Sequence, residues 1–305
     1  MDNNSSQDKK NPKQRSAFIN FWLKSWQPVP TWDSTIRLFC VLGVLLLIMG
    51  GLLTWVNSTI PEIKIPYSFT DKGVCKDQDV CDVKFKIDTE IESPVLVYYE
   101  IENFYQNHRR YLNSKSSYQL AGKSTYSSDL CEPMVTNHNM SKKTSFEGGH
   151  ELEPNDVAVP CGLIAYTLFD DTFEVWDDKS NNKTIDDTNI AWPSDRQEKF
   201  KNSAKPEKQW HNMEDEHFIV WMRTAGSSDF RKLWGRINEN LPAGEYHLKI
   251  PQNNFNTTKF AGSKSVVLTK TGFFGGKNTM MANAYLIGGG ICLIIVGFFY
   301  KKKNA

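Results

Sequence analysis

Two stretches of the sequence concentrate side chains that could bind a metal or transfer protons. The first, HNMEDEH, contains His211, Glu214, Asp215, Glu216 and His217. It lacks the H-E-x-x-H spacing that places two histidines on one face of a helix, and it leads directly into an apolar segment. We therefore interpret it as a polar approach to a strand, and we predict no metal site there.

The second stretch is acidic and contains Asp170, Asp171, Asp177 and Asp178. Four carboxylates this close together could surround a calcium ion. The segment, however, lacks the alternating oxygen ligands and the closing glutamate of an EF-hand loop. A solvated acidic turn is the better interpretation.

The sequence contains no motif that predicts an enzyme. A G-x-S-x-G elbow, a P-loop and a G-x-G-x-x-G fingerprint are all absent, and GFFGGKN lacks the Lys-Ser/Thr pair that would grip a nucleotide. His108 and His247 stand alone and are interpreted as packed or surface groups. The formal net charge of +1 gives no electrostatic reason to expect nucleic acid. We predict no catalytic residue and no cofactor.

Two long apolar runs organise the chain. Residues 36–56 carry one charge, Arg37 at the start, and at about 1.5 Å per helical residue they reach roughly 30 Å, the thickness of a bilayer's hydrocarbon core. A cleaved signal peptide would have a shorter apolar core nearer the beginning of the chain. Residues 280–300 form the second run and end at three lysines, residues 301–303. Both runs are predicted to be transmembrane helices.

The basic residues predict how the chain is oriented. Lysines and arginines precede the first span and three lysines follow the second, so the positive-inside rule places both termini in the cytosol. The predicted domains are a cytosolic tail (1–35), the first span (36–56), an exoplasmic or luminal domain (57–279), the second span (280–300) and a short basic tail (301–305). Within the first tail, residues 17–27 have aromatic side chains near helical spacing, which favours an amphipathic segment in the membrane interface.

Glycines are the other feature of the two spans, because neither has an ionisable residue in its interior. Small residues let helices approach closely in lipid. The glycines predict either that the spans pack on each other or that they dock on the helices of a partner. They are Gly43, Gly50, Gly51, Gly288, Gly289, Gly290 and Gly297.

Four of the six cysteines lie in the middle domain: Cys75, Cys81, Cys131 and Cys161. An even set on the oxidising side of a membrane predicts two disulfides with three possible connectivities, and sequence order favours Cys75 with Cys81 and Cys131 with Cys161. A zinc site is the alternative, but the tight C-x₂₋₄-C spacing is missing.

Three N-x-S/T sequons agree with this orientation and predict N-glycans at Asn139, Asn182 and Asn256. Asn57 also begins a sequon, but it adjoins the first span and is a poorer acceptor.

The middle domain has the patterns of a β-rich fold. Residues 81–87 and 95–101 alternate apolar and polar side chains as half-buried strands do, and HFIVWM and EYHLKI are also predicted to be strands. FRKLWGRI is predicted to be a short amphipathic helix, and Ser194 followed by Gln197 predicts a capping box at a second helix. GLIAYTLF and TFEVW suggest a hairpin or an abrupt bend. Because helices and strands do not alternate regularly, a mostly antiparallel sheet or sandwich is expected.

Six ordered stretches resemble one protein family, the accessory or beta subunits of type IV P-type ATPases, known as the cell division control protein 50 or ligand-effect modulator family. They are VYYEIENFYQNHRRY (97–111), PCGLIAYTLFDDTF (160–173), IAWPSD (190–195), EDEHFIVWMRTAG (214–226), FRKLWGRI (230–237) and LPAGEY (241–246). The resemblance runs from about residue 15 through the second span. It implies a glycosylated, disulfide-bonded, β-rich ectodomain that covers the exoplasmic loops of a lipid flippase, and the same consecutive cysteine pairing.

The function expected from this resemblance is that of a non-catalytic subunit, which supports the folding of a flippase ATPase, its export from the endoplasmic reticulum and lipid translocation. The partners are then the catalytic ATPase in a heterodimer, membrane lipids and N-glycans, and the protein belongs in the secretory pathway. A two-span ligand-gated channel, a membrane-anchored receptor or an anchored ectoenzyme would be the alternatives. Lys302 and Lys303, near the end of the chain, have two interpretations: a dilysine retrieval signal, or a basic cluster that only stops transfer through the membrane.

Overall fold

The computed structural model describes residues 31–68, 75, 81–123, 128–273 and 275–304. The described residues divide into two compact units, one comprising residues 31–52 and 280–304 and the other the described residues between 53 and 279. The first unit contains two long helices, and the second, here called the middle domain, contains the strands. The predicted polar tail and the interfacial segment of residues 17–27 lie outside the described residues.

The elements are numbered in chain order. The helices are α1 (Trp32–Thr59), α2 (Arg109–Asn113), α3 (Ser117–Leu120), α4 (Leu163–Tyr166), α5 (Glu216–Met222) and α6 (Thr279–Lys303). The strands are β1 (Glu62–Pro66), β2 (Cys81–Ile87), β3 (Val95–Ile101), β4 (Glu174–Asp177), β5 (Asn182–Lys183), β6 (Ile185–Asp186), β7 (Phe230–Ile237), β8 (Gly244–Ile250) and β9 (Lys264–Thr269). Short 3₁₀ turns cover Ser128–Cys131, Pro206–Lys208 and Thr258–Phe260, and Asp195–Lys199 form a π-helical turn.

The helices α1 and α6 have the length and composition of membrane spans. They contain 28 and 25 residues, and their most apolar windows have mean hydropathies of 2.5 and 2.0. The predicted spans, residues 36–56 and 280–300, lie inside them. At about 1.5 Å per residue each helix exceeds the roughly 30 Å of a hydrocarbon core.

Part of the glycine content of α1 and α6 lets these two helices pack on each other. A Cβ atom on Gly43 would lie 3.0 Å from Cβ of Cys292, and one on Gly289 would lie 2.8 Å from Cγ of Leu47. A Cβ atom on Gly50 would lie 2.8 Å from Leu286. Close helix approach therefore needs glycine at these three positions.

Other glycines of the helices lie on open faces. A Cβ atom on Gly51, Gly290 or Gly297 would have no described neighbour within 4 Å. One set of glycines therefore lies where the two helices pack on each other. The other set lies on uncovered faces, which could contact the helices of a partner.

Two antiparallel sheets build the middle domain. The first has the strand order β1-β9-β3-β7-β6, and the second has the order β2-β8-β4-β5. Each described ladder is antiparallel, so the predicted β-rich, antiparallel fold class is confirmed. The predicted strands at residues 81–87, 95–101 and 245–250 correspond to β2, β3 and β8. In β2, the side chains of Cys81, Val83 and Ile87 are buried and the alternate ones are exposed, which is the periodicity that identified the strand.

The predictions for FRKLWGRI and HFIVWM were wrong: the predicted helix is a strand, and the predicted strand is a helix. FRKLWGRI is β7, and its pairing with β3 is interrupted by a bulge: Val97 opposes Gly235 while Tyr98 opposes Leu233, so Trp234 has no partner. One extra residue in a strand breaks the two-residue period. The apolar positions then recur at spacings of three, one and three, which imitates an amphipathic helix.

HFIVWM lies in the helix α5. A short, continuous apolar run fits a buried strand and a buried helix equally well, so its composition does not distinguish the two structures. What starts the helix is Asp215, whose carboxylate accepts hydrogen bonds from the backbone N–H groups of His217 (3.2 Å) and Phe218 (3.3 Å). Phe218, Ile219, Trp221 and Met222 are buried, so nearly the whole circumference of α5 faces protein.

Two further sequence predictions need correction. Ser194 does precede a short helical turn, but its backbone is itself helical and its side chain makes no capping hydrogen bond. Of the two alternatives for GLIAYTLF and TFEVW, a hairpin or an abrupt bend, the hairpin is wrong, since the first stretch contains the helix α4 and the second leads into β4. The segment between them is held in the core by Phe169 and Phe173, which are 6% and 3% exposed.

A cleft lined by both polar stretches, and its relatives

The structure brings the two candidate stretches together in one cleft of the middle domain. The cleft has a volume of about 460 Å³ and is lined by Asp170 and Asp171 from the acidic stretch and by His211, Asp215 and His217 from HNMEDEH. Glu214, Glu216, Asp177 and Asp178 are not among its lining residues. Within the described chain, no group of three or more His, Cys, Asp and Glu side chains is arranged to hold a metal ion.

Asp171 corrects the interpretation of the acidic stretch as a solvated turn. Its side chain is fully buried and forms an ion pair with the equally buried Lys264, with 2.6 Å between Oδ2 and Nζ. Oδ2 also accepts a hydrogen bond from the Tyr67 hydroxyl (3.0 Å), and Oδ1 accepts one from the Phe255 backbone N–H (2.8 Å). Burial raises the pKa of Asp171, while Lys264 opposes that rise. This role is not visible in the sequence, where Lys264 merely precedes an apolar run.

Asp215 and its two histidines hold the beginning of α5. Besides capping the helix, the Asp215 carboxylate lies 3.4 Å from Nε2 of His211. Burial raises the pKa of Asp215, but the neighbouring His211 and His217 and the backbone N–H of His217 leave that pKa below its usual value. His217 reaches Asp187, with 3.4 Å between Nε2 and Oδ2. These groups stabilise a helix end and also line the cleft.

Glu216 has a structural role. Its carboxylate accepts hydrogen bonds from the backbone N–H groups of Asn189 (2.9 Å) and Ala191 (2.8 Å) and pairs with Arg196 at 2.9 Å. Charge-assisted hydrogen bonds of this kind fix a loop against a helix. The two histidines predicted to be isolated are not in the cleft: His247 lies 3.0 Å from Asp82, and His108 precedes α2 without capping it.

Aromatic rings form the apolar wall of the cleft. Phe173 meets Trp234 edge-on, with ring centroids 5.2 Å apart and an interplanar angle of 69°. Phe169 stacks on Tyr99 at 4.0 Å, and all four residues line the cleft. Trp234 is the unpaired residue of the β7 bulge. Bulges commonly redirect a side chain, and here the bulged residue contributes its ring to the cleft.

The described cysteines of the middle domain form two disulfides, Cys75–Cys81 and Cys131–Cys161. Of the sequon asparagines, Asn139, Asn182 and Asn256 are exposed. Asn57 is 8% exposed, and its side chain both donates to the Asn278 carbonyl (2.9 Å) and accepts from the Asn278 N–H (3.0 Å). This paired amide gives a structural reason why Asn57 would be the poorer glycan acceptor.

Comparison with known proteins gives a match over nearly the whole chain. The model of the LEM3 (ligand-effect modulator 3) family, also called the CDC50 family, matches residues 13–303. The chain belongs to this family.

Curated members of the CDC50 family come from plants and animals. ALA-interacting subunit 3 of Arabidopsis thaliana is 34% identical, over 95% of this chain and 86% of its own length. Cell cycle control protein 50A of Mus musculus is 30% identical over 95% of this chain and 90% of its own. Cell cycle control protein 50B of Homo sapiens is 28% identical over 93% of this chain and 91% of its own length.

The stretches that carry the CDC50 resemblance meet in the core of the middle domain. Trp221 in α5 donates its indole N–H to the Ile164 carbonyl at 2.8 Å. Lys232 in β7, which is 7% exposed, donates to the Trp221 and Arg223 carbonyls at 2.6 and 2.9 Å, where α5 ends. Burial lowers the pKa of Lys232 well below its usual value. A buried lysine at the carbonyl end of a helix satisfies acceptors that would otherwise be unpaired.

One glycine of these stretches is required by its backbone. Gly162 has φ of +103°, and a Cβ atom there would lie 2.1 Å from the Ser114 carbonyl oxygen. It directly follows Cys161, so the disulfide to Cys131 and the close approach to Ser114 fix the same corner. The motif residues described here therefore act mainly by packing and hydrogen bonding within the core of the middle domain.

Proposed function

We propose that this chain is the non-catalytic accessory subunit of a type IV P-type ATPase that moves phospholipids across a membrane. The observation that carries the proposal is membership of the CDC50 family over residues 13–303. The Arabidopsis thaliana relatives are named ALA-interacting subunits, that is, proteins that associate with another protein. The ATP site and the phosphorylated aspartate then belong to the partner.

The proposed arrangement is a heterodimer in which α1 and α6 contact the ATPase within the membrane. The uncovered faces of these helices support it: the side chains of Ile48 and Ile294 are 60% and 72% exposed, and Gly297 has open space around it. Such faces can contact lipid or another helix, and small residues favour the second. The middle domain covers the exoplasmic loops of the ATPase.

The proposed orientation has both termini in the cytosol and the middle domain in the lumen or outside the cell. The basic residues beside the apolar runs support it through the positive-inside rule. Two disulfides and three exposed sequon asparagines suit an oxidising, glycosylating compartment. The accessory role then comprises folding of the ATPase, its export from the endoplasmic reticulum and completion of the lipid transport cycle.

Purification with and without the ATPase tests this proposal. The full-length chain, tagged and expressed in its own cells, should copurify with a P-type ATPase of about a thousand residues, identified by mass spectrometry. A P-type ATPase of another class, coexpressed at the same level, is the matched control and should not copurify. The pure single chain should hydrolyse no ATP, whereas the pair should show lipid-stimulated hydrolysis. Hydrolysis or an ion current from the pure chain alone would overturn the proposal.

A further inference from the structure

The cleft that joins the two polar stretches has more negative charge than its surroundings neutralise. Among its described lining residues, five are carboxylic acids, two are histidines and none is lysine or arginine. Asp171 is paired with Lys264. Asp215 lies beside His211 and accepts a hydrogen bond from the backbone at the start of α5. The other three acids are Asp170, Glu174 and Asp187.

Within the described part of the chain, these three acids form no ion pair with a lysine or arginine. Asp170 accepts a 3.4 Å hydrogen bond from the Asn254 amide, and Glu174 accepts one from the Trp176 indole at 2.9 Å. Lys142 lies near enough to act on Asp170 electrostatically but forms no ion pair with it. Lys249 stands opposite Glu174 in the strand register, but its ammonium lies over the Trp176 ring, 4.1 Å from the centroid. Asp187 contacts only His217, at 3.4 Å. Among the described residues, the cleft thus holds three carboxylates that are not ion-paired with a lysine or arginine.

The cleft is also lined by aromatic rings. The rings of Phe169, Phe173 and Trp234 face a space of about 460 Å³, which is within the range of small-molecule sites. Aromatic faces attract cations through their quadrupole, and tryptophan does so most strongly. Carboxylates and aromatic faces together select an organic cation. A bare metal ion would need several oxygen or nitrogen ligands around one point, and no such group is found in the described residues.

We propose that this cleft binds an ammonium group, primary or quaternary, of a small molecule or of a lipid headgroup. The cation lies against the Trp234 and Phe173 rings, and Asp170 and Glu174 supply the countercharge. The proposal rests on the cleft alone and does not depend on the accessory role proposed above.

Calorimetric titration of the full-length chain in uncharged detergent micelles tests the proposal with choline and ethanolamine as probes. The matched control ligand is 3,3-dimethylbutan-1-ol, which has the shape of choline without its charge. A cation–π contact and a carboxylate together should make choline bind about tenfold more tightly than the neutral isostere. Equal binding of the two, or no binding of either amine at tens of millimolar, overturns the proposal.

Variants locate the site. Asp170→Asn and Trp234→Leu should each weaken choline binding about fivefold to tenfold. Asp178→Asn, which removes an equal charge outside the cleft, should leave it unchanged. Thermal unfolding of each variant is measured in parallel. If Trp234→Leu proves unfolded, Asp170→Asn alone decides, because its residue is exposed and its loss leaves no cavity. Equal choline affinity of Asp170→Asn and Asp178→Asn overturns the assignment.

A competition experiment identifies the source of the ammonium group. The full-length chain is placed in nanodiscs of phosphatidylcholine or, as the control, phosphatidylglycerol, and free choline is titrated. Weaker apparent binding in phosphatidylcholine means that membrane headgroups occupy the cleft. Equal binding in the two discs means that the ligand is a soluble amine. Either result supports an ammonium site, whereas loss of choline binding in both discs contradicts it.

Discussion

The ion pair between Lys264 and Asp171 makes a sharp prediction about stability. Both side chains are fully buried, and Nζ of Lys264 also donates to Oδ1 of Asn253 (2.7 Å) and to the Phe255 carbonyl (2.6 Å). Lys264→Met keeps the length of the side chain but leaves the Asp171 carboxylate without a cation. Removing one partner of a buried pair costs about 3–5 kcal/mol, because the remaining charge is uncompensated. For a domain of this size that loss lowers the midpoint of thermal unfolding by about 6–20 °C.

The pH dependence of this effect follows from the direction of the pKa shifts. Burial raises the pKa of Asp171 above its unfolded value, and Lys264 opposes the rise. In Lys264→Met the opposition is gone, so the folded-state pKa rises further. A carboxyl group whose folded pKa is raised favours folding below its unfolded pKa of about 4 and loses that contribution as the pH rises through the folded value. The variant should therefore regain stability as the pH falls from 7 towards about 4.

The pKa of Lys264 provides a second test. Burial lowers that pKa, although Asp171 opposes the change. Both members thus pay a desolvation cost in their charged forms, and replacing the pair by apolar groups is often neutral or stabilising. The double variant Lys264→Met with Asp171→Leu should consequently be more stable than Lys264→Met alone.

Thermal unfolding of the full-length chain in micelles, followed by near-ultraviolet circular dichroism, measures all three effects. Lys259→Met is the matched control, because Lys259 is exposed and lies only five residues away. Its midpoint should stay within about 2 °C of the unmodified chain, as surface substitutions usually change stability by no more than 0.5 kcal/mol. Equal midpoints for Lys264→Met and Lys259→Met would refute the reasoning.

Three further predictions concern other parts of the chain. Replacing each of the three exposed sequon asparagines by glutamine should remove one glycosidase-sensitive mobility step, whereas Asn57→Gln should remove none, and a chain from glycosylating cells without any step would contradict the orientation. Replacing both Cys131 and Cys161 by serine should lower the free energy of unfolding by about 3–4 kcal/mol, since their loop spans 30 residues; denaturant titration would show otherwise if the loss stayed below 1 kcal/mol. Gly289→Leu should separate α1 from α6 in a crosslinking assay, while Gly297→Leu should not, and equal crosslinking of the two would argue against the packing described here.

The sequence alone predicted the elements that repeat a simple pattern. The spans followed from their length and lack of charge, and β2, β3 and β8 from alternation. The helix α5 and strand β7 could not be told apart in this way, because the Trp234 bulge changes the period of one and complete burial hides the period of the other. Such features depend on partners that are distant in the chain. Periodicity within a short window contains no information about them.

The candidate cleft shows the same limit. Each half of it was visible as a polar stretch, yet neither half could show that Asp171 would be buried or that Asp215 would cap a helix. Burial of Asp171 depends on Lys264, which is 93 residues away in sequence. Trp234 was assigned to a helix face and not to a binding wall. The juxtaposition of the two stretches is a property of the fold, which sequence spacing does not encode.

The stretches that carry the family resemblance suit the proposed role of the chain. A subunit without chemistry of its own needs a surface of fixed shape, and the motif residues stabilise that shape from within: Trp221 joins α5 to α4, Lys232 joins β7 to the end of α5, and Glu216 fixes the loop before the π-helical turn. Substitutions at these positions act first on folding. Recognition of a partner must then be sought on exposed side chains and on the uncovered faces of α1 and α6, where a substitution can change binding without unfolding the domain.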